Sequence, residues 1–488
     1  MPAGNADGKG AKQSVRSKRW LRTAALLMAL LLACAAAVAD SVEPTGGKDL
    51  AHAGKVSGGP SALAAEKGAH PEGEQPPDRP GGDGEAPDGA PGERGAIQQG
   101  AAATTLETAA AISGGSFTSV KDDENALRVT NMAEVTLTGI LIQKSEGDTS
   151  STENSDFYGQ NAGLLATDGA RAALTSVSVT TSVTGGNAVV SYGDGTAVSL
   201  TDSTVRTTGD HSGGIHVAGG GKLTAWDVDV ETQGNSSAAI RSDRGGGRLT
   251  ARGGRFVTNG AGSPAIYSTA QIAVTNALLT ANRSEAVVVE GHNSVTLTDC
   301  TVSGNMQGTY GPDSGENLHG VMLYQSMSGD AEEGWSCFRM TGGELATLAG
   351  DLFYVTNTDC TIELSGVVLT PADGCLLRVE GNSGERGWGT PGDNGGRCTF
   401  NANGQALAGT IRVDGISSLE LTLSDGTTFE GTINPDGQGG EVHVTLAGGC
   451  RWRLTADAYV TSFTGDLSCV ETNGYTLYTA QQAAVEGV

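Results

Sequence analysis

The chain repeats itself, and the period of that repeat restricts its fold more than any other property. A small residue followed by an aliphatic or aromatic one recurs as Ala126-Leu127, Gly163-Leu164, Ala188-Val189, Gly214-Ile215 and Ala239-Ile240. It continues as Ala265-Ile266, Ala286-Val287, Gly320-Val321, Leu352-Phe353 and Leu376-Leu377. From Leu164 onward the second members Val189, Ile215, Ile240, Ile266 and Val287 follow at 25, 26, 25, 26 and 21 residues, and the longer gaps elsewhere coincide with glycine-rich polar insertions. A period of this length is the mark of a solenoid, in which each unit buries its apolar face against its neighbours.

A second motif follows inside each unit: apolar, polar, a turn former, two variable residues, apolar. Leu137-Thr-Gly139-Ile-Leu-Ile142, Leu200-Thr-Asp202-Ser-Thr-Val205 and Leu297-Thr-Asp299-Cys-Thr-Val302 are examples. Its turn column runs Gly139, Ser176, Asp202, Asp227, Gly253, Asn276, Asp299, Gly342, Gly366, Gly404, Asp425. These residue types tolerate a left-handed backbone or bond their own main chain, as a sharp corner requires. Each unit therefore holds three short strands of alternating in-out pattern separated by turns, and stacked units pair each strand with its equivalent about 4.8 Å away. Composition agrees: 75 glycines and only 5% aromatics, with no collagen-like period and no long helical pattern after residue 40.

The predicted fold is all-β, a single-stranded right-handed parallel β-helix over residues 105–478. It resembles the β-helix of pectate-lyase-like enzymes and of adhesin or autotransporter passengers. The resemblance is one of architecture, specific for fold and nearly silent on activity.

Ahead of the repeat, Lys12, Arg16, Lys18, Arg19 and Arg22 precede the apolar run 23–33, the plan of a bacterial-type secretory signal over residues 1–39. The run is too short for an ordinary membrane span. Two processing patterns compete: Ala37-Val38-Ala39 before Asp40, releasing a soluble chain, and Leu31-Leu32-Ala33-Cys34, resembling a lipoprotein box that would lipidate Cys34. The expected location is secreted or at the cell surface, with membrane contact only through such a lipid. Residues 40–104, with Glu74-Gln75-Pro76-Pro77, Pro80-Gly81-Gly82 and Ala90-Pro91-Gly92, have too few aliphatics to offset their ordering entropy and read as a disordered stalk. Residues 479–488 form a tail. The net charge of −25 repels phosphate backbones, so nucleic acid is not an expected partner.

In each anchor strand the residue after the inward aliphatic should point outward. That column reads Val190, His216, Arg241, Tyr267, Val288, Met322, Tyr354, Arg378, and insertions at 305–318, 325–336 and 381–397 flank it. The insertions carry Tyr310, Trp335 and Trp388, while Tyr324 ends the strand before the second of them. Long loops on one face of a solenoid mark a binding face, and aromatic rings with arginine donors suit sugars. Arg241, Tyr267, Tyr310, Tyr324, Trp335, Tyr354, Arg378 and Trp388 are the candidate ligand-binding residues. The alternative is that the loops merely cover apolar edges and the tryptophans pack on the coil.

Catalysis finds less support. A glycoside hydrolase needs carboxylates converging on the exposed strand, and the outward column has none. The available acids are in loops: Asp313, Glu316, Asp330, Glu332, Glu333, Glu385 and Asp393, while Asp202, Asp227 and Asp299 are corner residues. No cofactor is expected. Asp313/Glu316 and Asp330/Glu332/Glu333 are candidates for calcium, without the ligand spacing of an EF-hand. Gly219-Gly220-Gly221-Lys222 is followed by Leu223, which defeats a phosphate loop, and Gly209-Asp210-His211-Ser212-Gly213 reads as an inter-coil turn. The partner expected is a polysaccharide or a host or neighbouring-cell surface ligand, bound without catalysis; the rival is a secreted polysaccharide lyase or glycoside hydrolase on the same face. Cys360 and Cys398 precede the inward pairs of successive coils by two residues, so they should stack within disulfide range.

Overall fold

The computed structural model of the protein describes residues 97–308, 317–480 and 482–485, the last four as backbone. The signal segment, Cys34, most of the stalk, Tyr310, Asp313 and Glu316 lie outside the described residues. Strands begin at Ala101, a few residues ahead of the expected boundary, and residues 482–485 of the expected tail form a strand.

The chain winds into a parallel β-helix with three long sheets. An anchor sheet of 15 strands holds the small-plus-apolar motifs, a second of 14 strands holds the apolar-polar-turn motifs, and a third of 10 strands follows the turn. One full coil runs Ile215–Ala218, Gly221–Trp226, Asp229–Thr232, then returns to the anchor sheet at Ile240. Each return places a strand parallel to its predecessor, a crossover that is right-handed in nearly all proteins.

The register matches the repeat. Leu127, Leu164, Val189, Ile215, Ile240, Ile266, Val287, Val321, Phe353 and Leu377 are successive cross-strand partners. All eleven members of the turn column have positive φ, from 48° at Asp202 to 66° at Gly253. Inward residues of the three sheets, such as Ile215, Leu223 and Val230, are fully buried, each contributing about 1.5–3 kcal/mol of hydrophobic stabilisation. Phe353 stands between Phe338 and Phe400, with ring centroids 5.7 and 6.0 Å away, and all three are fully buried in the core.

The corner between third and anchor sheets explains the small residues of the first motif. A Cβ on Gly214 would lie 2.3 Å from Val230 Cγ1 and 2.5 Å from the Ala239 carbonyl, so nothing larger than glycine fits there. Buried hydroxyls satisfy the polar backbone of this corner. Thr207 and Thr232 donate to the carbonyls of Ser212 and Ser237 at 2.6 and 2.5 Å, within their own coils. The backbone amides of Gly186, Ser212 and Ser237 donate to the hydroxyls of Ser212, Ser237 and Ser263, each one coil further on, all at 2.9 Å.

Three strands per coil do not persist to the end. The third sheet stops at Val368–Thr370, and the strand Ala406–Val413 carries the chain directly through the corner. Gly409, with φ 119°, makes that bend, and Gly431 stacks on it so closely that a Cβ would meet the Gly409 carbonyl oxygen at 2.0 Å. Ala458–Val460, Leu477–Thr479 and Gln482–Val485 form a small terminal sheet whose last pair is antiparallel. Cys360 and Cys398 are direct cross-strand partners, as the spacing predicts, but they are free buried thiols and the expected disulfide is not formed.

Candidate functional site

The outward column of the anchor sheet has the expected order: Val190, His216, Arg241, Tyr267, Val288, Met322, Tyr354 and Arg378 are successive partners. It is not the open face that strand alternation alone implies. Val190, His216, Val288, Met322 and Tyr354 are buried. The insertions roof the strands, so outward from the core is not outward to water.

Over the early coils the roof is a short helix, α1 (Thr152–Tyr158), with Ser151 Oγ capping the Asn154 amide at 3.2 Å and Gly159 ending it in the left-handed conformation. Its Asp156 reaches Arg241 at 2.8 Å, and Arg241 also holds Asp243 at 2.7 Å. Arg244 lies over the Phe157 ring, 4.0 Å from its centroid. Arg241 is therefore the buried tie between helix and sheet, a correction to its candidacy as a sugar donor. One guanidinium faces two buried acids: burial, opposed by Arg241 and reinforced by Asp156, pushes Asp243 up to about 8. Burial and then the Arg241 charge hold His216 well below the usual histidine range.

Over the later coils the insertions leave a cavity of about 150 Å³. Tyr267, Val288, Met322 and Tyr324 of the anchor sheet line it together with Trp388, Pro264 and Met306 from the neighbouring loops. The Tyr324 and Trp388 rings are 4.8 Å apart and inclined at 60°. Asn382 and Asn394 side-chain amides fix Trp388 by donating to its carbonyl at 3.0 and 3.1 Å. Among the described lining residues the charged ones are Glu285 and Arg386, with the Arg386 guanidinium 4.9 Å from the Trp388 ring centroid.

Behind the tyrosines is an acid that the outward column passed over. Glu290 lies two residues beyond Val288 on the same strand and is fully buried. Its carboxyl accepts the hydroxyls of Tyr267, Tyr324 (at 2.9 Å) and Ser326. Burial pushes Glu290 above the usual carboxylate range, and the three hydroxyls oppose that shift. Asp243 occupies the equivalent place after Arg241, so the outer face does carry carboxylates. Counting two residues past each column member is the signal that would have found them.

The remaining candidates scatter. Arg378 is bound to Asp351 and, at 3.2 Å, to Glu380, so its charge is already matched. Tyr354 is 2% exposed and packs 5.2 Å from the His319 ring. Trp335 lies on the second sheet, 47% exposed, donating to Thr361 Oγ1 at 2.7 Å, and does not join the cavity. Tyr267, Tyr324 and Trp388 are the candidates brought together. Among the described residues no three acidic, histidine or cysteine side chains cluster as metal ligands; Asp330 pairs with Arg244 at 2.9 Å.

Residues 138–326 match the family described as the right handed beta helix region. No curated protein and no solved structure matches the chain.

Proposed function

We propose that this right-handed β-helix is an exported, adhesin-like protein that binds a carbohydrate at the Tyr267–Tyr324–Trp388 cavity without cleaving it. The observation that carries the reading is the aromatic corner of Tyr324 and Trp388, set beside a glutamate and an arginine in a cavity of about 150 Å³. Rings of this kind take the C–H face of a sugar while the polar groups orient its hydroxyls. The volume is below the usual range for drug-sized ligands and matches about one sugar ring. Export and surface display rest on the signal-like N-terminus and the polar stalk.

The acids of the cavity argue against hydrolysis. Glu285 lies on the lining, ahead of the strand Val287–Glu290, and it is the one carboxylate among the described lining residues, whereas glycosidases pair two carboxyls about 5–9.5 Å apart across the bond they cleave. Glu290 is moreover sealed behind three hydroxyls. The test is a glycan array run beside a reducing-sugar release assay on the same polysaccharides. Retention of one polysaccharide class with no new reducing ends is the expected result; release of reducing or unsaturated ends would establish the lyase or hydrolase instead.

A further inference from the structure

We propose that the sugar taken by this cavity is an amino sugar carrying a free, protonated amine, rather than an acidic or N-acetylated one; this rests on the carbohydrate reading above. The argument begins with the direction of two protons. Tyr267 and Tyr324 each have a single O–H, and both point it at the buried Glu290 carboxyl, their oxygens lying 3.4 Å apart. Neither phenol has a proton left for a ligand. What these side chains offer the cavity is lone pair and ring face, both of which attract positive charge and repel carboxylates.

Formal charges point the same way. The described lining carries one acid, Glu285, and one cation, Arg386, while Glu290 behind the tyrosines adds a second acid and Asp330 is already paired with Arg244. Burial, and after it the negative Glu290, push the phenols of Tyr267 and Tyr324 well above their usual range. Burial resists a charge of either sign there, whereas the Glu290 charge that resists a phenolate favours an ammonium group. The Trp388 ring already carries a cation on its face, since Arg386 lies over it. An ammonium-bearing sugar can therefore set its ring against Tyr324 and Trp388 and its amine towards Glu285. A uronate would bring its carboxylate to Glu285 and to two hydroxyls that cannot donate to it. An N-acetyl group removes the charge and enlarges the sugar in a cavity of about one ring.

The test is a ligand-observed NMR titration of the full chain with methyl glycosides of glucosamine and galactosamine, their N-acetylated counterparts, and the corresponding uronates. Single sugars avoid any dependence on linkage. At least one amine-bearing glycoside should bind about tenfold more tightly than its acetylated and acidic partners, on the scale of a few ångströms' separation between charges near a protein surface. Glu285→Gln should reduce that preference, and Arg386→Gln, which removes the competing cation, should strengthen amine binding, an outcome that misfolding cannot imitate. Equal or tighter binding of the acetylated sugar or the uronate, still weakened by Trp388→Ala, would overturn the amine inference and leave the carbohydrate site standing. No binding by any of these methyl glycosides, with Trp388→Ala indistinguishable from the parent, would overturn both.

Discussion

Arg241 shows how far a single position can be read. Its place in the outward column follows from alternation along the strand, and the column is real in the structure. Its role does not follow, because that depends on Asp156, which arrives from a helix 85 positions earlier in the chain (241 − 156). Replacing Arg241 by methionine leaves two buried acids without their shared cation and should cost about 3–5 kcal/mol. The pH dependence has a definite sign. Asp243 rises from an ordinary value of 3.8 to about 8, so between those values the folded chain holds a proton that the unfolded chain has lost. Its contribution is present in full below about pH 4 and is lost as the pH rises through about 8. Denaturation midpoints measured at pH 5.5 and 8.5 should show the Arg241→Met penalty growing with pH. A penalty that is equal at both would remove the two-acid account.

At the scale of the element, the turns were the most legible part. A corner needs positive φ, few side chains tolerate it, and the eleven residues chosen by type all adopt it. The hydroxyl ladder is not legible in the sequence, although Ser212, Ser237 and Ser263 each precede an anchor motif by two residues. Serine is common in turns, and only the three-dimensional stacking shows that each hydroxyl serves the coil before it. Ser237→Ala removes the acceptor of the Ser212 amide and the donor to the Gly209 carbonyl, leaving buried groups unpaired. A loss of about 1–3 kcal/mol is expected in chemical denaturation; a change below about 0.3 kcal/mol would mean the ladder does not support the corner. The insertions were legible as loops beside one face, with binding there and covering of the coil left as alternatives. Whether a polar loop of this kind points to water or folds back depends on partners such as Asn382 and Asn394, which bind the loop's own backbone.

At the scale of the whole molecule, the repeat determined the stack of coils because every inward column must be apolar along its length. The site escaped it for the opposite reason. The cavity belongs to no single repeat: Tyr267, Met322 and Trp388 come from different coils, and Trp388 comes from an insertion outside the pattern. Trp335, on the second sheet and bound to Thr361, obeys the repeat and stands outside the cavity. Binding without cleavage is the central claim, and native electrophoresis through gels containing the polysaccharide identified on the array examines both halves in one run. The parent chain should be retarded, Trp388→Ala should migrate freely, and the gel should stain evenly behind both. Free migration of the parent, equal retardation of Trp388→Ala, or a cleared track in the polysaccharide would contradict the account.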